Sequence, residues 1–283
     1  EVGRAYRWGF NGQEVVGELG RSHYTARFWE YDGRLGRRWN VDPVVKAAES
    51  RYVVFGGNPI WATDPTGQDT FKIRQATGKL AQHLRGGEQH VFMVIDNKDN
   101  VLASVSVPLS SLFHQETGAL VDYREWDPSR KEEIELITSI DVYGIIGDEY
   151  ATQLFEMLAI YTRVEWGLWR VGVDRNYIST GHLIWREPGS SYVFREYLLN
   201  GGDDWREHIH SHPPYTSEER QEMAKLWRME PKDIGRFPSS SDKKWAAGVS
   251  SKAKELEKSP PRFKVFYSYT GEYEEYSGSN NGN

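Results

Sequence analysis

Three histidines stand at alternate positions in the run His208-Ile209-His210-Ser211-His212, and Pro213 and Pro214 end it. Imidazole titrates near neutral pH and is the commonest side-chain ligand for metal ions, so such a row is poor core filling and a good supply of ligands. In a strand, residues two apart share a face, with Cα atoms about 6.5–7 Å apart. His210 and His212 can therefore converge on one ion, with His208 on the same face one step further along. The chain has no cysteine, so further ligands must be carboxylates or water. The stretch FPSSSD puts Asp242 in the first turn of a following helix, where a carboxylate is electrostatically favoured. His210, His212 and Asp242 would hold a zinc ion and leave a fourth position open, as catalytic zinc sites do. Hydrolysis also needs a base for the attacking water. Glu165, flanked by large apolar residues in RVEWGLW, is the leading candidate, expected on a strand, with Glu207 and Glu187 as spares. His208 reads as a neighbour of the site or a substrate contact, and His182 as structural.

These residues need elements to carry them. The segment GDEYATQLFEMLAIYTR has apolar residues at Tyr150, Leu154, Phe155, Leu158 and Tyr161, a helical stripe. VEWGLWRVGV, YVFREYLL and EHIHSH read as strands. SEERQEMAKLWRM reads as a helix capped by Ser217, and SDKKWAAGVSSKAKELEK as another. RFKVFYSYTGEYEEYS reads as a closing hairpin turning near Thr270-Gly271. Upstream, VFMVIDNKDNVLASVSV reads as a hairpin and IELITSIDVYGI as a strand, while the charged DPSRKEE reads as a solvated loop. Strands and helices mixed in this order indicate an α/β (α+β layered) domain.

Composition narrows the functional classes. The 283 residues are 38% hydrophobic, with 11 Trp and 16 Tyr, enough for a sizeable core. The formal net charge of −6 weighs against a nucleic-acid partner held by a basic face. Disulfides are excluded, and no apolar run reaches membrane-spanning length. Residues 1–67 differ from the rest, mixing aromatics with Gly, Asn, Asp and Pro at short intervals, as short strands and tight turns do.

Within them, YDGRLGRRWNVDP followed by GGNPIWATDPTG resembles the end of an RHS (YD-repeat) core. The resemblance implies a β-rich shell fragment in residues 1–67, followed by a C-terminal toxin. Asp42 and Asp64 match that family's aspartates. Gly67 is followed by Gln68 where members that cut themselves have Leu, so cleavage at this bond is expected to be slow or absent. The order Glu165, then HSHP, then PSSSD resembles the JAB/MPN (JAMM) metalloproteases. That resemblance implies a JAB/MPN-like, cytidine-deaminase-like mixed sheet with helices. It makes Glu165 the general acid/base, His210, His212 and Asp242 the Zn2+ ligands, and Ser239 the hydroxyl on the oxyanion side. Residues 213–238 separate HSHP from Ser239 by more than the family usually has, as a lid or substrate-recognition element would.

The expected organisation is therefore an RHS core end at 1–67, an accessory leading part of the toxin at 68–147, and a JAB-like metallopeptidase domain at 148–283. The expected activity is cleavage of peptide or isopeptide bonds in a protein substrate, including a ubiquitin-like conjugate, by a secreted effector delivered into a target cell. The partners implied are that substrate, a cognate immunity protein and the RHS shell of the same polypeptide, with no membrane. A metal-dependent nuclease and a non-catalytic protein-binding domain are the alternatives.

Overall fold

The computed structural model describes residues 14–16, 23–26, 29–35, 37–39, 69–85, 89–127, 132–184, 187–227, 230–235 and 237–278. Asp42, Asp64 and the Gly67–Gln68 bond lie outside the described residues. Of residues 1–67, four short strands are described: β1 (Glu14–Val15), β2 (His23–Ala26), β3 (Trp29–Asp32) and β4 (Arg37–Arg38). They pair in that order as one small sheet.

A second four-stranded sheet, ordered β6-β5-β7-β8, is built from β5 (Asp69–Arg74), β6 (Leu80–Arg85), β7 (His90–Ile95) and β8 (Val101–Val107). The expected hairpin is β7–β8. Asp96 makes its turn by accepting the backbone N–H groups of Lys98 and Asn100.

The central sheet has seven strands: β9 (Leu112–Asp127), β10 (Glu132–Ile146), β11 (Gly167–Val171), β12 (Arg175–Thr180), β13 (Trp205–His212), β14 (Arg262–Tyr267) and β15 (Glu272–Tyr276). Their order is β15-β14-β13-β11-β12-β10-β9. The expected division at 147/148 falls between β10 and the helix that follows it, within the run of chain that builds this one sheet. Only β13–β14 is parallel among these pairs. A parallel neighbour needs a crossover, supplied here by α3 (Ser217–Trp227) and α4 (Ser240–Glu255).

Two helices fill the remaining connections. α1 (Asp148–Tyr161) buries Ala151, Leu154, Phe155 and Leu158, spaced i, i+3, i+4, i+7 as one helical face requires. That face joins Phe71, Phe92 and Val107 of the second sheet with Leu168, Ile178 and Ile209 of the central one. α2 (Pro188–Val193) runs into a π-helical turn, Phe194–Leu198. It packs on the opposite face of the central sheet with α4, around Trp169, Val193 and Ala246. The layers are thus α1 with the second sheet, then the central sheet, then α2 with α4. The mixed α/β class expected from the sequence is the one observed.

Three local readings need correction. YVFREYLL is helical: Glu187 caps α2 through the Ser190 N–H, with Pro188 in the first turn, a strong start signal that outweighs a short apolar run of ambiguous period. Ser217 does not cap α3. Thr216 does, its Oγ1 accepting the Glu219 N–H at 3.2 Å while Glu219 Oε2 accepts the Thr216 N–H at 2.6 Å. Glu165 precedes β11 rather than lying on it, although its backbone is tied on both sides, donating to Leu183 O at 2.8 Å and accepting from Thr180 Oγ1 at 2.8 Å.

Candidate metal centre

Strand alternation sets the site. His208, His210 and His212 of β13 project to the α2/α4 face, in register with Trp169 and Gly167 of β11. Glu207, Ile209 and Ser211 project to the other. Parallel pairing of β13 with β14 lets the crossover return the α4 N-terminus over the carboxyl end of β13. There Ser239 caps the helix: its Oγ accepts the Asp242 N–H at 3.1 Å, and Asp242 Oδ2 accepts the Ser239 N–H at 2.6 Å. This reciprocal box holds the Asp242 carboxylate in one rotamer.

The same Oδ2 lies 3.4 Å from His210 Nε2 and 3.9 Å from His212 Nε2, and the two Nε2 atoms are 3.3 Å apart. Zinc bonds of about 2.0–2.1 Å at tetrahedral angles put ligand atoms about 3.3 Å apart. The three side chains expected to ligate therefore converge, and their spacing fits a small cation. The rings are also oriented for it. His212 Nδ1–H donates to Gly235 O at 3.0 Å, which leaves Nε2 as the bare nitrogen. His210 Nδ1 faces the Tyr276 hydroxyl at 3.4 Å.

Electrostatics agree with this donor set. Burial, and then the charge of His210, push the His212 imidazole down to about 4 against the pull of Asp242, so it is neutral at pH 7, as a ligand must be. Burial opposes ionisation of Asp242, but the charge and hydrogen bond of His210, then His212 and Ser239, hold its carboxyl well below the usual carboxylate range.

The centre forms one wall of a cavity of about 910 Å3 that Glu165, Glu187, Tyr215 and Ser239 also line. Glu165 is buried, and its carboxylate is hydrogen-bonded by the Tyr215 hydroxyl. Ser211, between His210 and His212, points to the far face and accepts the Trp166 N–H at 2.9 Å. The segment carrying Glu165 is thus pinned directly to β13. Ser239 is exposed and keeps its hydroxyl proton available, since its Oγ acts only as an acceptor in the cap.

The spare acids separate. Glu207 lies on the α1 face, buried among Arg170, Arg262 and Lys264 at 2.9, 3.1 and 2.8 Å, so it is removed from the cavity. Glu187 stays in it. Burial pushes its carboxyl up to about 7, against hydrogen bonds from Ser190 and Ser179 and the charge of His210. His208 is not in the ligand set: its Nε2 is 2.8 Å from Ser190 Oγ, and its ring packs against Trp169 and Trp245. His182, at φ 59°, bridges Asp141 and the Thr77 carbonyl, a structural role.

Ser211 and Tyr215 thus support the site beyond the residues expected to form it, and of the two spare acids Glu187 lines it. Ser211 follows from alternation within HIHSH, and the Glu187-Pro188 pair signals a helix start. Nothing local in the sequence marks Tyr215.

Residues 144–247 match the family model described as JAB-like toxin 1. The matched stretch runs from the end of β10 into α4 and is similar to a JAB-like toxin domain, and the mixed sheet with its helices suits a JAB-like α+β fold. It spans Glu165, His210, His212, Ser239 and Asp242. No curated protein and no solved structure matches the chain.

Proposed function

We propose that residues 148–283 act as a zinc-dependent peptidase or isopeptidase toxin, carried behind an RHS shell whose end is residues 1–67. On this reading it is secreted and delivered into a target cell, where it cuts a protein substrate, and an immunity protein protects the producer. The observation that carries the reading is the convergence of His210 Nε2, His212 Nε2 and Asp242 Oδ2, 3.3–3.9 Å apart, on a cavity that Glu165 shares.

His210, His212 and Asp242 would hold the ion, which when bound supplies Lewis acidity and lowers the pKa of a water ligand toward neutrality. Glu165 accepts the proton of the attacking water and returns it to the leaving amine nitrogen. Ser239 donates its hydroxyl proton toward the developing oxyanion. Tyr276 and Gly235 fix the ligand rings, and Ser211 fixes the strand entry that carries the base.

The test uses zinc-loaded protein with peptide and ubiquitin-conjugate substrates beside nucleic-acid digests. Glu165→Gln is nearly isosteric and is expected to keep zinc and fold, while cleavage and toxicity fall by about 10²–10⁴-fold. Undiminished toxicity of that variant would refute the peptidase chemistry. Metal-dependent digestion of nucleic acid by the wild type would favour the nuclease instead.

A further inference from the structure

The described residues between His212 and Ser239 pack against the site through their own small core, and they touch both halves of the proposed machinery. Met223, Ala224 and Ile234 are buried together, with Tyr215 packed against them. One guanidinium ties the two ends: Arg220 Nη1 donates to Ile234 O at 3.0 Å, and Arg220 Nε to Tyr215 O at 3.5 Å. Glu219, in the first turn of α3, pairs with Arg163, two residues before Glu165.

The Tyr215 ring lies against the backbone of Gly235. A Cβ at Gly235 would stand 2.4 Å from Tyr215 Cε2, and Gly235 has φ +70°, a conformation and an approach that suit only glycine. The carbonyl of that same glycine accepts His212 Nδ1–H. At its other end Tyr215 presents its hydroxyl to the Glu165 carboxylate, with Ile184 O 3.4 Å away. A continuous line of contacts therefore runs from Glu165 through Tyr215 and Gly235 to His212.

We propose that Tyr215 is a positioning residue for Glu165, and that residues 213–227 and 230–235 form a bracket setting the base and the ligand His212 in one geometry. This rests on the reading of Glu165 as the proton acceptor. A carboxylate on a mobile side chain samples several rotamers, and a fixed donor holds it where it meets the water. Tyr215 orients and does not relay protons: burial, and then the Glu165 charge, keep its hydroxyl protonated far above neutral pH.

Two variants separate the parts of the bracket. Tyr215→Phe keeps the ring on Gly235 and removes the hydroxyl. Gly235→Ala keeps the hydroxyl and forces the ring away, together with the carbonyl that orients His212. The readouts are zinc affinity by chelator competition, the 13C carboxyl resonance of Glu165 (assigned with Glu165→Gln), and the expression level that stops growth of a sensitive host. Tyr215→Phe is expected to hold zinc as wild type does, to shift the Glu165 resonance because a donor to the charged form is lost, and to need about tenfold more expression for the same toxicity. Gly235→Ala is expected to shift the same resonance and also to weaken zinc binding about 10–100-fold. An unmoved Glu165 resonance in Tyr215→Phe overturns the positioning role, whatever the toxicity. Full toxicity of Glu165→Gln overturns the reading of the base instead.

Discussion

Replacing Glu187 with glutamine removes a carboxyl group that burial pushes from 4.5 up to about 7. Below pH 4.5 the group is protonated in both folded and unfolded chains and contributes no pH dependence. Between pH 4.5 and 7 the unfolded chain has lost that proton while the folded chain keeps it, so unfolding releases a proton and stability falls as pH rises. The interval spans about 2.5 pH units, and each is worth about 1.36 kcal/mol, giving a loss of about 3 kcal/mol by pH 8. A glutamine side chain would not titrate, yet its amide oxygen can still cap α2. The assay is urea unfolding of metal-free wild type and Glu187→Gln at pH 4.5, 6 and 8, metal-free because a bound cation would itself favour the ionised form. Other groups titrate alike in both proteins and cancel in the difference. The variant should gain on the wild type by about 3 kcal/mol between the lowest and highest pH. Parallel stability curves would mean that Glu187 is solvated, and would remove it from the buried wall of the cavity.

The protein should bind about one zinc per chain, and His210→Ala or Asp242→Ala should each strip it, measured by metal analysis after dialysis; unchanged stoichiometry in both would refute the ligand set. Asp242→Asn should weaken zinc while keeping the α4 cap, since the amide oxygen still accepts the Ser239 N–H, so helix content by circular dichroism should hold as chelator competition worsens. Gly167→Ala should cost about 1–3 kcal/mol in urea unfolding, because its Cβ would lie 1.9 Å from Ser190 Oγ and 2.7 Å from Glu187 Oε2; a neutral effect would mean that α2 yields freely. His208→Ala should retain zinc, its Nε2 being engaged with Ser190, and loss of metal would place it among the ligands.

The candidate centre was legible in the sequence wherever the reason was local. Alternation along β13 by itself puts His210 and His212 on one face, and the box between Ser239 and Asp242 by itself places a carboxylate in the first turn of α4. The stripe of Leu154, Phe155 and Leu158 by itself makes α1. Readings failed where local signals conflict or say little. YVFREYLL is apolar enough for either element, and Glu187-Pro188 decided for helix. Long β9, interrupted by Gly118 at φ +80°, shows no clean alternation.

The rest depends on what lies far apart along the chain. Only the parallel pairing of β13 with β14 brings Asp242 back over the two histidines, because it fixes where the crossover ends. The face of β13 on which a residue falls decides that Glu207 joins an ion-pair network while its spare counterpart Glu187, 20 positions earlier in the chain, enters the cavity. Burial then raises the Glu187 carboxyl and lowers His212, and burial is a property of packing that no residue carries alone. Tyr215 reaches Glu165 from 50 positions away, through a segment whose own core, rather than any local motif, sets its path.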